Sequence, residues 1–243
     1  MAFLPNASLH RPRGWVMAMD WMDVLFLHWT ADADRLRALL PAGLELETFG
    51  GKAWVGVVPF RMSGTRPRFL PGMPGLSAFP ELNARTYVRK GGISGVWFFS
   101  LDAANRLAVR GARRFFHLPY MDADMQVSHR DGEVVYASRR THAGEPAAEF
   151  RARYAPTGPA YRAAQGSLDD WLTARYCFYA ADAEGNLFRA YIHHKPWRLQ
   201  PARCDLEVNT MLAPLGLDAG GKPPLLHYSE RCEVVGWLPE LLV

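Results

Sequence analysis

Four glycine-bearing turns, Gly50-Gly51, Lys90-Gly91-Gly92, Asp131-Gly132 and Glu184-Gly185-Asn186, each stand between two segments rich in branched and aromatic residues. Glycine takes the left-handed backbone angles that tight hairpins need, so each turn joins two antiparallel neighbours. The flanking pairs are LELETF with AWVGVVPF, ELNARTYVR with SGVWFFSLD, DMQVSHR with EVVYASRR, and RYCFYAAD with LFRAYIHH. WMDVLFLHW (21–29), EFRARYAP, LEVNTML and LLHYSERCEVVGW read as further strands. The pattern predicts about ten strands, mostly in sequential hairpins. A doubly wound parallel sheet is disfavoured, because it needs strands alternating with helices. Ten antiparallel strands curl or close to remove their unpaired edges. The expected fold is therefore mainly β with a few helices, a closed or cone-like antiparallel β-barrel forming one domain over 1–243. Residues 1–14 are expected as a loosely ordered arm.

Helices are few and short. DADRLRALLP carries leucines at helical spacing, with Asp32 placed to cap the first turn and Pro41 to stop the last. AANRLAVRGARRFF is the longest helical stretch, although Gly111 interrupts it. SLDDWLTAR opens on a serine with an acid three residues on, a variant of the capping box. The segment from Met62 to Pro80, rich in Pro, Gly and Arg, reads as a loop.

Composition narrows the function classes. The 243 residues are 49% hydrophobic and 21% charged, enough to bury a core without a metal or disulfide staple. Net charge is +4, and the cations are scattered rather than gathered into runs that would grip a phosphate backbone. No nucleic-acid partner is expected. The most apolar stretch is cut by Asp20 and Asp23, and the N-terminus lacks a signal-peptide layout, so a cytoplasmic protein with no membrane partner is expected. Cys177, Cys204 and Cys232 are far apart with no CxxC, and read as reduced thiols. No HExxH, phosphate loop, GxGxxG or GxSxG motif occurs, so no metal and no cofactor is expected. Free cysteine is commonly a small buried hydrophobe, which argues against a zinc site built from the three. A homodimer is the base-rate expectation for oligomeric state.

The most informative strand is ELNARTY. With a side-chain period of two, Glu81, Asn83, Arg85 and Tyr87 share one face, and Leu82, Ala84, Thr86 and Val88 the other. The polar row reads two ways. It is either the wet side of a half-exposed strand or the lining of a ligand cavity, with Arg85 gripping a carboxylate and Glu81 holding Arg85 in place. VWFFSLD, the neighbouring strand, is apolar on both faces, which favours a covered row. Two further clusters stand out. RRFFHLPY puts Arg113, His117 and Tyr120 near a helix end, where cations are favoured by the helix dipole alone. YIHHKPW carries His193 and His194, which point to opposite faces of a strand and so do not readily share a metal.

Taken together, FLHW, LRALLPAGLELETFGGKAWVGVVPF, FPELNARTYV, GVWFFSLDA, ARRFFHLPY, WLTARY and IHHKPW resemble the YqjF-like family of uncharacterised bacterial proteins. That family is similar in fold to acetoacetate decarboxylase, whose antiparallel strands close into a cone around a buried site. The resemblance implies a cavity. The decarboxylase forms a Schiff base through a lysine of lowered pKa, which follows a proline. In ARRFFHLPY the residue after Pro119 is Tyr120, which cannot form an imine. Lys52, Lys90 and Lys222 lie at turns, leaving Lys195 as the one lysine able to point inward.

Three functional readings follow. The first is a small-molecule binding protein, or an enzyme of unknown reaction. Its cavity holds an anionic, carboxylate-bearing ligand among Glu81, Asn83, Arg85, Arg113, Tyr120 and His194. In that reading Tyr120 or His194 donates protons, Glu81 is the base, and Arg85 stabilises negative charge. The second is decarboxylase or aldol chemistry through a Lys195 imine. The third is a non-catalytic protein-interaction module, which requires an exposed apolar patch instead of a closed hollow.

Overall fold

All four glycine turns form hairpins, and both central residues of the Gly50-Gly51, Gly91-Gly92 and Asp131-Gly132 turns have positive φ. The computed structural model describes residues 14–217, except 74 and 76, and residues 225–242. The arm expected at the N-terminus and Lys222 lie outside the described residues, apart from Gly14. In chain order the elements are β1 (Met17–Ala31), α1 (Ala33–Ala38), β2 (Glu45–Leu46), β3 (Thr48–Phe49), β4 (Lys52–Pro67), β5 (Phe79–Lys90) and β6 (Ile93–Ala103). They continue with α2 (Arg106–Phe116), β7 (Tyr120–Arg130), β8 (Glu133–Arg140), β9 (Glu149–Pro156), α3 (Leu168–Thr173), β10 (Cys177–Ala181) and β11 (Leu187–His194). The last are β12 (Gln200–Asn209), β13 (Leu225–Gly236) and β14 (Glu240–Leu241). The three helices start where capping side chains predict. Asp32, Asn105 and Ser167 accept from free N–H groups of the first turns.

Five strands, β13, β1, β4, β5 and β6, lie side by side and antiparallel as a central wall. This wall closes twice. In one direction β10 pairs with β6 at Val96 and Trp97, and its hairpin partner β11 pairs with β13, giving a ring of seven strands. In the other, β7 pairs with β6 at Leu101–Ala103, and β8, β9 and β12 carry the sheet round to β13, giving a ring of nine. The rings use opposite faces of the shared wall. Val24, Phe26, Val58 and Phe60 pack with Phe178 and Ile192 inside the first. Leu25, Leu27, Val55 and Val57 pack with Tyr136 and Phe150 inside the second. A wall buried on both sides explains why β6 reads as an apolar run with little alternation, and why the polar row of β5 is covered.

Two features depart from the sequence reading. The segment expected as a loop from Met62 to Pro80 is shorter, because β4 continues to Pro67 and β5 begins at Phe79. The sheet is also not wholly antiparallel, since both partners on the far edge of β6 run parallel to it. Both parallel joins depend on long connections between strands, which local hairpin signals do not reveal.

Bulges bend the wall. An extra residue, Phe99, shifts the phase of β6, so Phe98 and Leu101 both face the first ring while Phe99 packs in the second. In β1 the phase changes at Asp23, whose φ is +54°. Arg61 holds the Asp23 carboxylate through two N–H bonds at 2.9 and 2.8 Å, and the Tyr228 hydroxyl donates to it at 3.0 Å. Upstream, Met17, Met19 and Trp21 face the first ring; downstream, Val24 and Phe26 do.

Candidate ligand-binding site

The interior of the seven-stranded ring is a cavity of about 410 Å³. Glu81, Asn83 and Arg85 descend one wall of it along β5, and all three are buried. Tyr87, the next residue of that face, lies below the floor and is fully buried. Its hydroxyl donates to the Leu172 carbonyl at 3.0 Å and lies 2.7 Å from His28 Nε2. With the phenolic hydrogen on Leu172, the His28 ring donates from Nε2. His28, Gly56 and Arg85 are cross-strand neighbours in one row of β1, β4 and β5. A Cβ at position 56 would stand 3.2 Å from the His28 ring and 3.7 Å from Arg85 Cγ, so glycine lets both side chains into the row.

Charge is concentrated at the deep end. Arg85 Nη2 donates to the Leu172 carbonyl at 3.3 Å, Nε has no partner, and no carboxylate among the described residues forms an ion pair with this guanidinium. Arg175, which follows α3, also lines the cavity. It is neutralised by Glu47 at 2.5 Å and lies over the adjoining Trp171 and Tyr87 rings. The nearby imidazoles carry no compensating or added charge at neutral pH. Burial holds His28 well below its ordinary value, with Arg85 and His227 adding to the effect. Burial takes His194 down to about 4, against the pull of the Lys195 and Arg175 carbonyls. Among the described residues the deep end therefore presents one cation with no carboxylate partner, Arg85, which lies over the Phe26 and Tyr87 rings.

Glu81 sits nearer the mouth. Its carboxyl accepts from the Tyr120 hydroxyl at 2.8 Å. Burial pushes the carboxyl up to about 8, the Tyr120 bond opposes this, and the nearby Asp102 charge adds to it. A carboxyl raised to about 8 favours its protonated form at neutral pH. The same burial and the Glu81 contact raise the Tyr120 phenol well above its ordinary value.

Of the six residues singled out from sequence, Glu81, Asn83, Arg85, Tyr120 and His194 line this one cavity. Arg113 does not. Its side chain is exposed on α2 and its Nη1 donates to the Tyr120 carbonyl at 2.8 Å, a helix-end contact. Nor does Glu81 hold Arg85. The Glu81 carboxyl is engaged by the Tyr120 hydroxyl, and the Arg85 guanidinium turns to the Leu172 carbonyl. Lys195 is exposed, as is Lys52, and Lys90 turns to the Gly43 carbonyl. Among the described residues no lysine lines the cavity. The sequence reading missed Arg175, Thr173 and the aromatic wall of Trp21, Phe26 and Trp197. Trp197 stacks on Trp21 at 5.9 Å and meets Phe26 edge-on at 5.0 Å. A signal for Arg175 existed in WLTARY, where an arginine directly follows a short capped helix. Among the described residues no group of three or more His, Cys, Asp or Glu is arranged to hold a metal, and no helix is long and apolar enough to cross a membrane.

Residues 18–233 match the DUF2071 family, described as an uncharacterized conserved protein. The chain belongs to that family. This DUF2071 protein is 47% identical to the uncharacterized protein YqjF of Bacillus subtilis strain 168 over 224 residues, 92% of this chain and 91% of that one. Among solved structures it is similar to acetoacetate decarboxylase from Legionella pneumophila, with a TM-score of 0.64 at 14% identity over 98% of this chain and 94% of that one. An acetoacetate decarboxylase-like enzyme from Sphingomonas wittichii RW1 gives 0.60 at 16%, over 99% and 97%. The enduracididine biosynthesis enzyme MppR, solved with pyruvate, gives 0.57 at 12%, over 98% and 93%. At these identities the likeness is one of fold, so the DUF2071 chain shares the acetoacetate decarboxylase architecture.

Proposed function

We propose that the cavity of the seven-stranded ring binds a small organic anion, with a carboxylate seated against Arg85. The observation that carries this reading is the guanidinium itself: buried, in the cavity wall, and without a carboxylate partner among the described residues. Leaving a buried charge unpaired is costly, and a ligand carboxylate removes that cost through two parallel N–H bonds. Asn83, one step along β5, leaves its side-chain oxygen unpartnered and adds a polar neighbour for the same group. MppR holds pyruvate within the same architecture, which is compatible with a carboxylate here. If the bound molecule reacts, Glu81 and Tyr120 form a proton-donating pair in the wall, and Arg85 offsets negative charge. The absence of a lysine from the described lining gives an imine route through Lys195 no support.

Calorimetric titration with pyruvate, acetoacetate and benzoate tests the reading. Arg85→Met is expected to weaken whichever acid binds by roughly 10- to 100-fold, the worth of one charge-assisted contact. Equal affinity in the variant, or no binding of any acid, would overturn it.

A further inference from the structure

The shape and lining of the cavity say more than its charge. Each wall strand runs from the mouth inward. β1 passes from Met17 through Trp21 to Phe26, β4 from Pro67 through Phe60 to Val58, and β5 from Phe79 to Arg85. From Phe79 to Arg85 is six residues of extended chain, about 20 Å. Over that length the guanidinium groups of Arg85 and Arg175 lie at the inner end, and the walls between them and the mouth are mostly aromatic or aliphatic. The one acid on the way, Glu81, is occupied by Tyr120. The apolar lining then continues out of the molecule. Met73, Leu107 and Phe115 line the mouth and are 60%, 62% and 65% exposed. The volume falls among clefts that take drug-sized ligands, about 300–1,000 Å³, and far exceeds what a three-carbon keto acid fills.

We infer that the ligand is a monocarboxylate with a long apolar body, head inward at Arg85 and tail lying along the Trp21, Phe26 and Phe60 wall towards the Leu107–Phe115 mouth. This rests on the carboxylate reading above and specifies its substrate class. A short keto acid satisfies Arg85 and leaves the apolar walls facing water, whereas an acyl or aryl-alkyl acid covers them. One cation without a carboxylate partner among the described residues matches one carboxylate, and the apolar outer half penalises a second charge on the tail.

The test is a series of straight-chain acids from butanoate to decanoate, titrated into the full chain with tryptophan fluorescence as readout, since Trp21 and Trp197 line the path. Each added methylene is expected to tighten binding by about fourfold until the tail reaches the mouth. Arg85→Met should lower the whole series by a common factor. Leu107→Ser, an exposed position, should weaken only the longest acids. Butanoate and decanoate binding equally well, with Arg85 dependence intact, would overturn the apolar body and leave the carboxylate reading standing. A length dependence that Arg85→Met does not shift would overturn the head-inward orientation. No binding by any acid would remove the carboxylate reading and this inference with it.

Discussion

Arg85 is held at a cost to the unliganded protein. It is a buried cation with no carboxylate partner among the described residues, and Glu47 is engaged by Arg175. Replacing it with the similarly shaped but neutral methionine is expected to raise the stability of the unliganded protein by about 1–2 kcal/mol in urea denaturation. A merely structural arginine would give a loss instead. Glu81 and Tyr120 allow a second check. The Tyr120 hydroxyl favours the ionised carboxylate, so Tyr120→Phe should move the Glu81 midpoint above about 8, as read by carboxyl-sensitive infrared or carbon NMR titration. Gly56→Ala would place a methyl against the His28 ring; overpacking of this kind costs about 1–3 kcal/mol, and the shift of Arg85 should weaken carboxylate binding as well.

One of the two joins that close the first ring, β6 with β10, is a tight approach between elements. At Gly95, in β6, an added Cβ would come within 2.9 Å of both the Cys177 carbonyl and the Tyr179 ring of β10. Neither backbone nor packed ring can yield cheaply, so Gly95→Ala should loosen the β10–β11 hairpin. Hydrogen exchange of amides 177–181 is expected to rise well before that of β7 and β8. This join shows where sequence legibility ends. Hairpins are local, and each was readable from a turn dipeptide between strand-like runs. The face bearing Glu81, Asn83 and Arg85 was readable from the two-residue period of β5. Of the parallel joins of β6, that to β10 pairs residues 82 positions apart and that to β7 residues 19 apart across α2, and neither carries a hairpin signal. The Phe99 bulge is equally silent, because VWFFS is apolar in either phase. The partners of Glu81 and Arg85 were misassigned for a related reason. A shared face says nothing of distance along it, and Tyr120 reaches Glu81 only because α2 returns the chain beside the end of β5.

Buried titratable groups give the whole molecule a defined pH response. His28, His194 and His227 are all held below their ordinary 6.5, so the unfolded chain takes up protons that the folded one refuses, and stability falls as pH drops below about 6.5. Glu81 works in the opposite sense. Between its ordinary 4.5 and about 8 the folded protein keeps a proton that the unfolded one releases, so stability falls as pH rises, by at most about 1.4 kcal/mol per unit. Asp102, also raised by burial, adds to that slope. Where the two ranges overlap, three imidazoles outweigh the carboxyls. Thermal denaturation across pH 5–8.5 should therefore show a maximum near 6.5, and Glu81→Gln should flatten the alkaline side and steepen the acid side, where Glu81 opposes the histidines. An unaltered alkaline slope in that variant would show that Glu81 is ionised in the folded protein.

The shared five-stranded wall has a further consequence. Leu82 and Ala84, which alternate with Glu81, Asn83 and Arg85, belong to the nine-stranded ring and never meet the hollow on the other side. Packed without exposure on that side, they back the strand that carries Arg85, so on the carboxylate reading ligand preference would respond to their bulk from behind. Selection for a new ligand would be expected to recover changes on the dry side of this partition, among residues that an inventory of contacts would dismiss as scaffolding.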